Sequence, residues 1–118
     1  MLPPVFGAEH DLVCAALNAE GIPSEEGYEA MHHYELFQPS LSRLPVPNAF
    51  PERFDFTRMH FPVAERACEH EAVWLDESVF RAGVQGVDDA VAALQKIQAN
   101  APRLISAAQE WRKAQPGL

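Results

Sequence analysis

The side chains able to do chemistry near neutral pH are few, and their spacing restricts them further. The five histidines are His10, His32, His33, His60 and His70, and no HxxxH or HExxH pair places two imidazoles on one helical face. His32 and His33 on a strand would point to opposite sides, and Cys68 and His70, two apart on a helix, to different faces. On spacing alone a metal site is not supported. Ser24, Ser40, Ser42, Ser78 and Ser106 lie in no GxSxG elbow, and neither Cys14 nor Cys68 sits in a protease signature. No GxGxxG or GxxxxGK[ST] is present to cradle a nucleotide. Glu25-Glu26 and Asp76-Glu77 read as solvated turn carboxylates rather than acid–base pairs. Lysine is the scarcest reactive group, with only Lys96 and Lys113, both in the C-terminal helical region. Chemistry that needs a lysine in a pocket has almost no candidate, and by motif alone the chain is not an enzyme.

The whole chain has 118 residues, which is enough for one hydrophobic core. Seventeen acidic residues against nine basic ones give a net charge of −8, which leaves no basic field to collect phosphates. Nucleic acid and anionic membrane surfaces are therefore excluded as expected partners. The longest apolar run, Leu12 to Leu17, is far short of the roughly 20 residues of a spanning helix. There is no basic-then-apolar leader pattern either. Two distant cysteines without a CxxC suit a reducing compartment, so the expectation is a cytoplasmic chain in which both are small buried hydrophobes.

The elements that must position these groups follow from pattern. Acidic Glu9 and Asp11 favour a helix start, and Leu12, Val13, Ala16 and Leu17 share one face of a helix from about Ala8 to Glu20. Gly21 ends it, Ile22 can pack back on Leu17, and Pro23 forbids continuation. A short strand is expected around Gly27-Tyr28-Glu29. From Gln38 to Pro62 five prolines and no sustained period argue against regular structure. Such a loop lines a site, wraps a neighbour, or is a surface crossover anchored by Phe50, Phe54, Phe56 and Phe61. Pro62 opens a helix to about His70, Ala72 to Leu75 reads as a buried strand, Asp76-Glu-Ser78 as a turn, and Val79-Phe80 as a possible return strand. A long helix follows Gly83 and Gly86, with Val87, Leu94, Ala101 and Ala108 recurring every seven residues in step with Ala90, Ile97, Leu104 and Trp111. Pro102 interrupts this stripe and predicts a kink, or two helices meeting near Asn100. The sum is an α+β fold, a small antiparallel or mixed sheet with helices packed on one side, formed by residues 1–118 as a single domain.

Read as an ordered series, Val5-Phe-Gly7, Ala16-Leu-Asn-Ala-Glu-Gly-Ile22-Pro23, Gly27-Tyr28, Glu35-Leu-Phe37, Phe61-Pro-Val-Ala-Glu-Arg66, Glu71-Ala-Val-Trp-Leu75 and Val87-Asp-Asp-Ala-Val-Ala-Ala-Leu-Gln-Lys-Ile97 resemble the C-terminal small domain of the DegT/DnrJ/StrS family of sugar aminotransferases. Pro62-Val-Ala-Glu-Arg66 with Val73-Trp-Leu75 looks closest to the branch that aminates cyclitol ketones or builds amino-hydroxybenzoate starters. The resemblance implies a two-domain parent whose larger domain carries pyridoxal 5′-phosphate on a lysine, with the cofactor ring as electron sink. Neither Lys96 nor Lys113 matches that lysine, so no cofactor is expected on this chain alone. The resemblance further implies that the small domain walls one side of the pocket for a ketosugar or cyclitol ketone, contacts the large cofactor-binding domain, and helps a homodimer assemble while being inactive alone. Tyr28 matches the family's substrate-facing aromatic, and either His32 or His33 the position after it, with Ala30-Met31 replacing the usual Pro-Leu. Hydroxyl and imidazole are suitable partners for cyclitol hydroxyls. The family's first strand would precede Met1, so the expected sheet lacks one strand, and its exposed edge pairs with another chain, is covered by the Met1 to Val5 arm, or is a liability. The alternative is a stand-alone, non-catalytic binding or dimerisation module.

Overall fold

The structure, a computed structural model, describes residues 7–114. It divides into two compact units, one made of 1–26 with 71–118 and the other of 27–70. The Met1 to Val5 arm lies outside the described residues.

The first unit is built around helix α1, His10–Ala19, and the long helix α5, Gly83–Ala114. Helix α1 begins two residues later than its pattern predicts, with Glu9 at its cap and Asp11 in its first turn, where carboxylates suit the exposed N–H groups. It ends as predicted. Gly21 takes φ +84°, its N–H donates to Asn18 O at 3.0 Å, and the Ile22 N–H donates to Leu17 O at 2.9 Å. These are the two bonds of a Schellman stop, and Leu17 and Ile22 both join the core. Asn18 then fastens strand β1, Ser24–Glu25: its amide donates to Cys14 O at 2.9 Å and to Ser24 O at 2.8 Å.

Strand β2, Trp74–Leu75, pairs antiparallel with β1, Ser24 opposite Leu75 and Glu25 opposite Trp74. The fold is thus α+β, with a two-stranded sheet of two residues per strand. The strand lies at Ser24–Glu25 and not at Gly27-Tyr28-Glu29, because the Asn18 bonds hold the chain extended directly after Pro23.

Asp76-Glu-Ser78 is not a hairpin turn and Val79-Phe80 is not a strand. The Asp76 carboxylate accepts the Ser78 N–H at 2.8 Å and so caps helix α4, Glu77–Arg81, which buries Val79. That hydrogen bonding by Ser78, side chain first and backbone second, holds Asp76 below the ordinary aspartate value. Helix α5 starts at Gly83 and runs unbroken through Pro102, so there are not two helices meeting near Asn100. Ala101, directly before the proline, is buried, and Ile97 and Leu104 pack on either side of it. Burial on both flanks offsets the roughly 3 kcal/mol that an interior proline costs. Asn100 donates to Lys96 O and Ser106 to Pro102 O, each at 2.9 Å.

The buried stripe of α5 is Gly86, Ala90, Ala93, Ile97 and Ala101. Ala90, Ile97 and Ala101 belong to the two seven-residue series seen in sequence, Gly86 and Ala93 do not, and Val87 and Trp111 of those series are exposed. Ala90, Ala93 and Ile97 of this stripe join Ala8, Val13, Leu17, Ile22 and Val79 in the core, in which Leu17 is the large side chain with no exposure. Cys14 is buried, as expected, and burial raises its thiol pKa. His10 is buried too, its Nδ1 3.0 Å from Ala72 O, rather than the solvated helix residue its position suggests.

The second unit has short helical turns, separated by irregular residues, along the proline-rich stretch, where no regular structure was expected from Gln38 to Pro62. Successive 3-10 turns at Met31–His33, Glu35–Phe37, Pro39–Leu41, Pro51–Arg53 and Phe56–Arg58 accompany the short helix α2, Pro45–Ala49. Pro39, Pro45 and Pro51 stand at the first positions of three of these elements, where their fixed φ starts a helical turn that other residues continue. Helix α3, Pro62–Arg66, continues as a π turn, Ala67–Glu71. Phe50 and Phe61 are exposed, so these two do not anchor the stretch in a core.

Two outcomes test this packing. A methyl at Gly86 would fall on the Val79 carbonyl oxygen and 2.8 Å from Ala82 Cβ, neither of which is a flexible side-chain end. Gly86→Ala should therefore lose about 1–3 kcal/mol in denaturant melts, against the gain of up to about 1 kcal/mol that helix propensity alone predicts. Asp76→Ala should lower the melting temperature by a few degrees at neutral pH. Because the folded-state pKa of Asp76 is depressed, the gap to wild type should be full above the ordinary value of 3.8 and close as pH falls through the depressed one. A gap independent of pH would show that the carboxylate is not the cap.

Candidate functional site

Tyr28, His32 and His33 all belong to the second unit, where Ala30 and His32 are the buried described residues. Ala30 seats the turn that follows it, its carbonyl accepting the His33 N–H at 2.8 Å. Neighbouring residues on a 3-10 turn stand about 120° apart, not the 180° of a strand. The two imidazoles can therefore share one side, and their ring centroids lie 4.1 Å apart with planes tilted by 53°. This is why the strand argument that separated them does not hold.

Helix α3 supplies the opposite wall. Pro62 opens it and Glu65 reaches back, accepting the Phe61 N–H at 2.9 Å. The same oxygen, Oε1, accepts from His32 Nε2 at 2.8 Å, and the Phe61 ring meets the His32 ring edge-on at 4.9 Å. The Phe61 N–H first, and the His32 hydrogen bond second, hold Glu65 below the usual carboxylate range. His60 Nδ1 lies 4.0 Å from Glu65 Oε1, and Glu69 Oε1 lies 3.6 Å from His33 Nδ1. His32, His33 and Glu65 each present a ligand atom within 4.8 Å of the other two. Neither Glu65 nor Glu69 stood out in the sequence; the signal available was Pro62 three residues before a glutamate, which marks a carboxylate able to return to the helix start.

The three predicted residues differ in what they can still do. His32 is committed to Glu65 and Phe61. His33 keeps 37% of its side chain exposed, and Tyr28 is 66% exposed. The proline-rich stretch lines a hollow of about 430 Å³ with Gln38, Asn48, Glu52 and Arg58 among its walls, and neither Tyr28 nor the histidines are among the described residues lining it.

The described residues do not fit pyridoxal phosphate. Lys96 Nζ is bonded at 2.8 Å to both carboxylate oxygens of Glu20 on the open face of α5, and its side chain is 63% exposed. A cofactor-bearing lysine must have its amine free to reach the ring, whereas this one is ion-paired to Glu20 on an exposed side chain. Lys113 is exposed in the last turn of α5.

Comparison with known proteins bears out the resemblance. The chain is 33% identical over 97 residues to a protein of Micromonospora echinospora, and 32% identical over 101 residues to one of Streptoalloteichus tenebrarius. It is 29% identical over 104 residues to one of Streptomyces kanamyceticus. All three are assigned as L-glutamine:3-amino-2,3-dideoxy-scyllo-inosose aminotransferases, and the matches cover 80%, 83% and 86% of this chain but only 23%, 24% and 25% of the relatives. No family model and no solved structure matches the chain. Over about four-fifths of its length, the chain is related to aminotransferases of the sugar and cyclitol type, and it spans about a quarter of the relatives it matches.

Proposed function

We propose that this chain is the small C-terminal domain of a two-domain, pyridoxal-phosphate-dependent aminotransferase. In this proposal it supplies part of the pocket wall for a cyclitol or sugar ketone and is inactive alone. From the relatives' names, L-glutamine is the amino donor and an amino-dideoxy-inosose the class of acceptor. The cofactor and its lysine belong to a larger domain outside this chain, and the assembly is a cytoplasmic homodimer. Among the described residues no helix is long and apolar enough to cross a membrane.

The observation that carries this reading is the second unit's inability to bury its own apolar side chains. It leaves Leu36, Leu44, Val46, Phe50, Phe61 and Val63 exposed, while among its described residues Ala30 and His32 are the buried ones. Single exposed apolar residues are ordinary, but a run of them over forty-odd residues without a core is the mark of a surface covered by something else. A large domain upstream is the natural cover. In the first unit Phe80, Val84, Val87 and Val91 are exposed along α4 and one side of α5, at spacings of three and four residues, which supports a second protein contact there. Tyr28 and His33, polar-tipped and partly or largely exposed, are the side chains this reading assigns to a hydroxylated substrate; His32 holds the turn in place through Glu65.

Two experiments test the assignment. Pyridoxal phosphate mixed with the chain, reduced with borohydride and mapped by mass spectrometry should give no stoichiometric adduct at Lys96, and stoichiometric labelling there would overturn the division of labour. In the two-domain parent, Tyr28→Phe and His33→Asn should each raise KM for the keto acceptor several-fold with kcat little changed, as loss of ground-state hydrogen bonds does. An unaltered KM in both variants would remove these residues from the pocket.

A further inference from the structure

The geometry points to a transition-metal site in the second unit, formed by His32, His33 and Glu65. This inference does not rest on the aminotransferase reading, although it draws on the same His33. The three ligand atoms lie within 4.8 Å of one another, and two of them, His32 Nε2 and Glu65 Oε1, are already 2.8 Å apart. Around a four-coordinate ion bound at about 2.0–2.1 Å, donor atoms stand roughly 3.3 Å apart. The pair must therefore open by about half an ångström and His33 must close by up to about 1.5 Å. The closing movement is available, because the His33 side chain is partly exposed on a short turn. Binding through His32 Nε2 requires the tautomer that carries its proton on Nδ1, and the Phe61 N–H orients Glu65 Oε1 toward the site.

The donor set selects the ion. Two imidazoles and one carboxylate suit zinc, cobalt(II) and nickel(II), whereas magnesium and calcium call for oxygen cages that this site lacks. Glu69, 3.6 Å from His33 Nδ1, is placed to orient that ring, in the way that carboxylates orient the histidines of metal centres. His60, 4.0 Å from Glu65 Oε1 and largely exposed, stands near enough to swing in as a fourth ligand; otherwise water completes the shell. The bridge would join the Met31–His33 turn to helix α3, two segments of a unit that has little core.

Cobalt(II) titrated into the metal-stripped full chain tests this. The expected result is one ion per chain, with the intense visible bands of a four-coordinate nitrogen–oxygen site, and stoichiometric displacement by zinc. His33→Asn and Glu65→Gln should each weaken zinc binding by roughly tenfold or more, while His70→Asn should bind as wild type. Far-UV circular dichroism of each variant separates a lost ligand from a lost fold; His33, being partly exposed, is the informative position. Binding of equal strength in His33→Asn, equal loss in His70→Asn, or no saturable binding by wild type at millimolar metal would each overturn the site.

Discussion

The first unit depends on one close approach, the seating of Leu17 against the small-residue face of α5. Ala90 and Ala93 on α5 are small enough for one leucine, clustered with Val13 and Ile97, to be fully enclosed. The remaining features of this unit serve that contact. The Schellman stop returns Ile22 to the same cluster, Asn18 fastens β1 beside the helix end, and the Asp76 cap turns the chain so that Val79 enters from a third direction. Gly86 completes the arrangement, since the backbone of α4 occupies the space a side chain would need. A core of alanines buries little area per residue, so its stability rests on fit more than on bulk.

That dependence explains the behaviour of Pro102. A proline in mid-helix removes one ladder bond and crowds the preceding turn, and an isolated peptide would break there. Here the helix is held by tertiary contacts on both sides of the proline, Ile97 and Ala101 before it and Leu104 and Ile105 after it. Local cost is met by non-local burial, which no pattern in a single helix can reveal.

What was legible in the sequence was local. Gly21-Ile22-Pro23 announces a helix stop because every group that makes it lies within six residues, and the apolar faces of α1 and α5 show in their periods. What was not legible turned on which of two local options tertiary contacts select. Asp76-Glu-Ser78 suits a turn or a helix cap equally, and only the burial of Val79 decides. The period of α5 was visible, and Ala90, Ile97 and Ala101 of its seven-residue series are buried, whereas Val87 and Trp111 of those series are exposed and Ala93 joins the core from outside them. In the candidate site Tyr28 and the two histidines were found through resemblance, while Glu65 was missed because its partnership with His32 spans 33 positions.

The second unit inverts the logic of the first. Its prolines begin turn after turn without a long helix or strand, so it has few elements with which to enclose a core and its apolar side chains stay outward. A segment so built must be held either by polar contacts within itself or by apolar contacts to something else. His32 supplies the first, an imidazole nearly buried by a neighbouring ring and bonded to a glutamate that is itself pinned by a helix N–H. The exposed leucines, valines and phenylalanines supply material for the second. A polar anchor of this kind fixes the geometry of a turn without requiring a hydrophobic interior, and so leaves the apolar surface free for a partner. The two histidines thus divide the work of one dipeptide: the buried ring sets the backbone, and the more exposed ring, held beside it at 4.1 Å, is presented to whatever approaches.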